Sequence, residues 1–428
     1  MLKWLQGDKL ILGYDLGNEF SQISYASAAN DTVETLSLVA GAENYKIPTV
    51  LCKRQGVNQW FYGKEALRYA EEQNGILVDN LLQAAVDGEP LLIDETEYDP
   101  VALLALFMKR SLGMVSQIGS LDKVEAMMIT CEQLNHRLLE VLTEAVAATR
   151  LKIENICFQN YTESYYHYMI KQPQELWAHD TVLCEYVGNQ VKVYRMECNK
   201  RTTPVVAFIE NREYGMIPYH PMPEEEALRT SKMEKLDREM LQVAQQVCEN
   251  RIVSSIFLIG DHFDEEWMKD SLRYLCRGRR VFQGNNLYSK GACYGMLERL
   301  DSSEVGKSHV FLGNDKLKAN IGMKIYRRGE ESYIALLDAG LNWFEANQQM
   351  EFYLQGSNIV ELIISPLIGK NSKKVRIGLE ELQGGLTRLA MKLFLEKEDL
   401  LVVEIEDLGL GELRPATHRV WREEIPIY

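Results

Sequence analysis

The chain has 428 residues, a formal net charge of -15, 46% hydrophobic residues and 25% charged residues. That is enough for two or three domains with cores of their own, within the composition range of soluble globular proteins. The acidic balance argues against non-specific binding to nucleic acid or anionic membrane surfaces, and no apolar run is long enough to cross a bilayer.

The start of the chain does not read as a signal peptide, because Asp8 and Lys9 interrupt any apolar region. Leu10 to Leu12 then reads as an apolar strand that runs into Gly13-Tyr14-Asp15-Leu16-Gly17-Asn18, with a second strand from Ile23 to Ala26. A strand, an Asp, a Gly turn and a second strand suit a phosphate-holding hairpin. Gly lets backbone N–H groups approach an anion, and Asp can hold the water around a divalent cation. An ordinary hairpin turn selects the same residues. Mixed structure follows to about residue 100. Pro100 to Met114 has helical periodicity, Val124 to Ile129 reads as a buried strand, Glu132 to Ala148 as a helix and Ile153 to Phe158 as a strand. Thr162 is placed to N-cap a Tyr-rich helix ending near Ile170.

The plan then restarts. Thr181 to Val187 and Val191 to Met196 form a strand pair around a Gly turn, and Val205 to Glu210 extends it. Glu224 to Asn250 reads as a long polar helix, Ile252 to Ile259 as a buried strand, Asp264 to Leu275 as a helix, Arg280 to Phe282 as a short strand and Tyr288 to Leu300 as a helix. Two mixed sheets flanked by helices, with a cleft between them, follow from this repetition. Beyond about residue 305 the pattern changes to strand-length apolar runs separated by turn signals such as Arg328-Gly329, Gln355-Gly356 and Gly384-Gly385, which predicts a β-sandwich. The expected domains are 1–178, 179–304 and 305–428.

The eight cysteines form no C-x-x-C pair and several lie in apolar strands, as expected of reduced, buried thiols in a cytoplasmic protein. The seven histidines show no metal-ligand spacing, and His136, His167 and His262 read as structural or surface residues. No metal centre is expected. The tyrosines at 161, 165, 166 and 168 read as packing between the two halves rather than as a stacking platform. The charges through Lys235-Leu236-Asp237-Arg238-Glu239 read as a solvated helix face, and Arg277-Gly278-Arg279-Arg280 as a helix-end cluster. Gly306-Lys307-Ser308 matches the end of a phosphate-binding loop, but the motif's first Gly would fall at Asp301.

Several segments, taken in order, carry a family resemblance: Asp15-Leu16-Gly17, Lys46-Ile47-Pro48-Thr49-Val50, Phe61-Tyr62-Gly63-Lys64-Glu65-Ala66, Glu125 to Thr130, Tyr161 to Tyr168, Ser255 to Asp261, Lys290-Gly291-Ala292-Cys293-Tyr294-Gly295 and Leu379 to Asp407. The set resembles the DnaK-type 70-kDa heat-shock chaperones of the actin-like ATPase superfamily. The resemblance implies a two-lobed actin-like (ribonuclease H-like) α/β fold with a reduced insertion in its second lobe. A C-terminal sandwich like the chaperone substrate-binding domain would follow, with no helical lid. It also implies nucleotide contacts at Asp15, Gly17, Asn18, Glu185, Gly188 and Gly260, with ATP and Mg²⁺ as the corresponding cofactors.

The departures point away from hydrolysis. The resemblance places Asn80 at the family's catalytic Lys and Asn160 at its Glu. It places Tyr186 or Glu185 at the Asp of the second phosphate turn, and Asp261 at the second Gly of the adenosine-side turn. Glu19 would add a negative charge beside phosphate. Tyr186 and Asp261 would fill space that a nucleotide uses. The expectation is a pseudo-ATPase with no catalytic residue and no bound cofactor, binding protein or peptide clients or serving as a scaffold. The alternatives are a slow Mg-ATPase or nucleotide sensor and an actin-like assembly component.

Overall fold

The computed structural model describes residues 9–27, 32–39, 41–264, 267–369, 371–382 and 384–428, without the side chains at 261 and 264. The first eight residues, up to Asp8, therefore lie outside the described residues. The chain divides into two compact units, Met1–Cys198 with Ile209–Lys307, and Asn199–Phe208 with Ser308–Tyr428. It is a mixed α/β body followed by a strand-rich C-terminal region. Among the described residues no helix is long and apolar enough to cross a membrane.

Two larger sheets of the first unit are built alike, beside two small ones over residues 51–78 and 91–98. In the first half the order is Asn155–Asn160, Val124–Cys131, Leu10–Leu16, Phe20–Ser27, Glu34–Thr35. In the second half the first five of six strands are Arg280–Gln283, Val253–Ile259, Asp180–Val187, Gln190–Asn199 and Val205–Gly215. In both, the third strand pairs in parallel with the second and antiparallel with the fourth. Leu10–Leu16 is buried along its whole length, as expected of a parallel strand covered on both faces. Asp15 therefore sits within the strand, and the reversal comes later, where the Gly17 N–H donates to the Phe20 carbonyl at 3.1 Å.

Three helices, Pro100–Leu112, His136–Thr149 and Tyr161–Ile170, start where a short polar side chain caps them. Asn135 accepts from the Leu138 N–H at 2.8 Å, so the helix after the second strand is His136–Thr149 rather than starting at Glu132. Asn160 accepts from the Glu163 N–H at 2.9 Å and makes Tyr161 the first residue of Tyr161–Ile170, so the expected cap at Thr162 is corrected to Asn160. The helix expected from Asp264 runs only over Asp270–Leu275. Its cap comes from Asp237, in the middle of the long helix Glu226–Cys248. Asp237 is thus buried, not part of a solvated face. Glu239 is likewise engaged, accepting from the Ile217 N–H at 2.8 Å.

The helix Leu287–Leu300 follows the second sheet and packs on the first. At Gly13 a Cβ would lie 2.2 Å from the Ser289 carbonyl oxygen. On another face the same helix crosses Tyr161–Ile170 at Gly291 and Ser164. Side chains seal both contacts: on the first sheet Ser24 bonds Ser289 at 2.8 Å and Gln22 donates to the Asn285 carbonyl at 2.7 Å, and Lys171, just after Tyr161–Ile170, pairs with Glu298.

The second unit contains two four-stranded antiparallel sheets. One is ordered Glu330–Leu337, Ala319–Arg327, Ile359–Pro366, Lys373–Gly378; the other Asn347–Gln355, Leu386–Lys397, Leu400–Gly409, Val420–Pro426. The last strand was not expected from the sequence, since Val420-Trp421-Arg422-Glu423-Glu424 carries a charged stretch that hides its alternation. Leu389, Met391, Leu393 and Leu395 are buried at every second position. Asp407, fully buried, accepts from the Thr387 hydroxyl at 2.6 Å and the Thr417 hydroxyl at 2.8 Å, which ties the loop before the last strand to the sheet.

Candidate functional site

The repeated plan brings Asp15 and Glu185 to matching places. Asp15 stands opposite Thr130 and Glu185 opposite Ile259, each near the C-terminal end of the parallel pairing in its half. Each carboxyl is met by a phenol from the helix that follows the outermost parallel strand. The Tyr161 hydroxyl donates to Asp15 Oδ1 at 2.8 Å, and the Tyr288 hydroxyl to Glu185 Oε2 at 3.2 Å. The two rings stack with centroids 3.8 Å apart and planes within 10°.

Electrostatics follow from the burial. Desolvation pushes the Asp15 carboxyl up to about 7, with the Tyr161 bond and Lys46 opposing and the Glu185 charge reinforcing the rise. Glu185 is also pushed up to about 7, by burial first; Lys192, the Tyr288 bond and Lys46 oppose, and Glu132 adds to the rise. Burial raises both phenols well above the ordinary tyrosine value, so they remain neutral donors. Lys192 forms an ion pair with Glu132. The cluster can take up and release protons near neutral pH. Among the described residues there is no group of three or more His, Cys, Asp or Glu side chains placed to hold a metal ion.

The other residues expected at this site have structural partners. Asn18 reaches across to the helix Leu81–Asp87, where its Oδ1 accepts from the Gln83 N–H at 2.9 Å. Asn80, the residue next to that helix, is left-handed at φ +50° and makes no side-chain cap bond, so Asn18 supplies the cap from a distance. Asn18→Ala is expected to cost about 1 kcal/mol, read as a lower urea midpoint. Asn80 is exposed and its amide donates to Asp79. Gly188 turns the hairpin between Val187 and Gln190 at φ +61°. Gly260 is also left-handed, at φ +105°, and a Cβ there would lie 3.0 Å from the Tyr186 carbonyl oxygen. The Glu19 side chain is exposed.

Tyr186 requires a correction. It does not point toward the paired carboxyls. Strand alternation sends Glu185 toward Tyr288 and Tyr186 into the core of the second half, against Phe263 and Trp267. Its hydroxyl donates to the Ile217 carbonyl at 2.6 Å. The Asp261 side chain lies outside the described residues.

A family model described as a family of unknown function (DUF5716), C-terminal, matches residues 32–314. The chain belongs to this family. A second model, a domain of unknown function (DUF8552), matches residues 316–427, within the strand-rich second unit. No curated protein matches the chain.

The DUF5716 match contains Glu185 and both stacked tyrosines, while Asp15 to Asn18 precede it. Within the matched region a second ring stack lies beside the Gly260 turn: Tyr219 and His262 are parallel within 14° at 4.7 Å, with His220 edge-on to His262 at 5.4 Å. The remaining tyrosines of the Tyr161–Ile170 helix pack internally. Tyr165 bonds the Thr181 hydroxyl at 2.7 Å, Tyr166 is buried, and Tyr168 meets Phe257 edge-on. Sequence reasoning missed Tyr288 and Lys46. The signal for Tyr288 was present: it is the second residue of its helix, as Tyr161 is the first of the helix in the equivalent place.

Proposed function

We propose that this DUF5716 chain is a heat-shock-chaperone-like pseudo-ATPase on an actin-like body, acting as a protein- or peptide-binding or scaffold module rather than as an enzyme. The observation that carries the reading is the stacked pair Tyr161–Tyr288, which takes the ground between the two carboxyls where a bound phosphate and its cation would be held. The doubled sheet order supports the superfamily origin. Use of Asn160 as a helix cap supports the loss of hydrolysis, because a capping amide cannot act as a base toward water.

The matched positions of Asp15 and Glu185 favour one competing reading, a slow Mg-ATPase. Thermal denaturation with millimolar Mg-ATP or Mg-ADP separates the two. The pseudo-ATPase reading expects a shift below about 1 °C, since a ligand stabilises only as far as its concentration exceeds its dissociation constant. A rise of several degrees, abolished by Asp15→Ala, overturns it. Binding of a denatured polypeptide, followed by fluorescence anisotropy, is expected to occur and to be unchanged by Mg-ATP. Absence of binding would remove the client-binding half of the proposal.

A further inference from the structure

The two carboxyl–phenol couples belong to different halves of the first unit. Asp15 and Tyr161 come from the first sheet and the helix after it, Glu185 and Tyr288 from the second. What joins the couples is the ring stack, with centroids 3.8 Å apart. We propose that this stack is a proton-operated clasp, closed while Asp15 and Glu185 are both protonated and opening to water when they ionise.

The groups around the clasp set its direction. Lys46, in the segment before Ile47–Pro48, acts on both carboxyls, and Lys192 from Gln190–Asn199 acts on Glu185. Lys192 is itself paired with Glu132, just beyond the Val124–Cys131 strand, and that carboxylate works against it. Cys131 and Tyr194 also face the site, and burial raises both, so they stay neutral. The cationic contributions fall short of the burial cost, and the two carboxyls repel once charged. Opening lets water solvate them.

The linkage has a definite sign. In the closed state both carboxyls titrate at about 7, and in an open, solvated state near the ordinary value of about 4. The closed state therefore binds more protons between those values. Its advantage is complete below about pH 4 and is lost as pH rises through about 7. Between pH 6 and pH 8 each carboxyl shifts the opening equilibrium about tenfold, and the two together about a hundredfold. This inference does not rest on the nucleotide reading, and a Mg-ATP titration can come out either way without touching it.

The test is hydrogen exchange on the full chain at pH 6 and pH 8, with the intrinsic pH dependence of amide exchange divided out. Amides in the first two turns of Tyr161–Ile170 and Leu287–Leu300 are expected to lose protection by roughly ten- to a hundredfold at pH 8. The Leu400–Gly409 strand of the second unit serves as a reference that should not change. Glu185→Gln should leave about a tenfold effect and the double variant with Asp15→Asn none. If the double variant does not fold, Glu185→Gln alone decides by its reduced pH effect. Equal corrected protection at the two pH values overturns the clasp. So does a loss that persists undiminished in the variants, or one that spreads across both units.

Discussion

Gly291→Ala is expected to destabilise the first unit by about 3–5 kcal/mol, a large share of the roughly 5–15 kcal/mol that holds a typical domain. An added Cβ would stand 1.9 Å from the Ser164 carbonyl oxygen and 2.6 Å from its carbon, so the obstacle is backbone and cannot rotate away. Neither helix can retreat at this crossing without giving up other contacts. The Ser164 hydroxyl is anchored to Thr130 and to Gln159, both at 2.7 Å, in a fully buried site. On its other side Leu287–Leu300 already lies against Gly13, where an added Cβ would stand 2.2 Å from the Ser289 carbonyl oxygen. The cost thus comes from close approach, not from backbone conformation, because Gly291 has an ordinary helical φ. Urea denaturation of the full chain reads the loss. Gly284→Ala, with nothing within 4 Å of the new Cβ, should stay within about 0.5 kcal/mol and serves as the control.

Asp237→Ala is expected to cost about 2–4 kcal/mol and to change the response to acid. The carboxylate accepts from the N–H groups of Lys269 at 3.1 Å, Asp270 at 2.8 Å and Ser271 at 2.9 Å, and from the Ser271 hydroxyl at 2.5 Å. Removing it orphans the start of the Asp270–Leu275 helix, which has no cap of its own. Burial pushes this carboxyl up, but the Ser271 hydroxyl and the three amides outweigh that and hold it below the ordinary aspartate value. The folded state therefore favours the ionised form. The stability it contributes is present above about pH 4 and is lost as pH falls through the lowered value. Thermal denaturation from pH 7 to pH 3 should show a steeper acid loss in the parent protein than in Asp237→Ala. Equal slopes would count against the capping role. Asp237 and the Asp15–Glu185 pair thus act with opposite sign: the contribution of Asp237 is lost in acid, and that of the pair is lost as pH rises.

The strands of both halves were legible because buried parallel strands leave continuous apolar runs such as Leu10-Ile11-Leu12, and the antiparallel strands of the second unit alternate, as Leu386–Lys397 does. Helix starts were less legible. Asn160 and Thr162 both stand at the start of one helix, and only geometry decides which turns its oxygen back onto the free N–H groups. The candidate site was half legible. Asp15 and Glu185 stood out as acids at strand ends, but the choice between Glu185 and Tyr186 turned on which face of the strand each residue takes.

By itself the sequence determined the local elements, the turns at Gly17, Gly188 and Gly260, and the doubled plan, because each depends on residues close together in the chain. The tertiary structure decided what the acids at the strand ends face. Asp15 meets a phenol 146 residues away, Glu185 one 103 residues away, and the two phenols stack on each other. No periodicity encodes such a contact. It exists because two sheets of the same order bring two helix starts together, and because burial there costs charged carboxyls more than neighbouring lysines return.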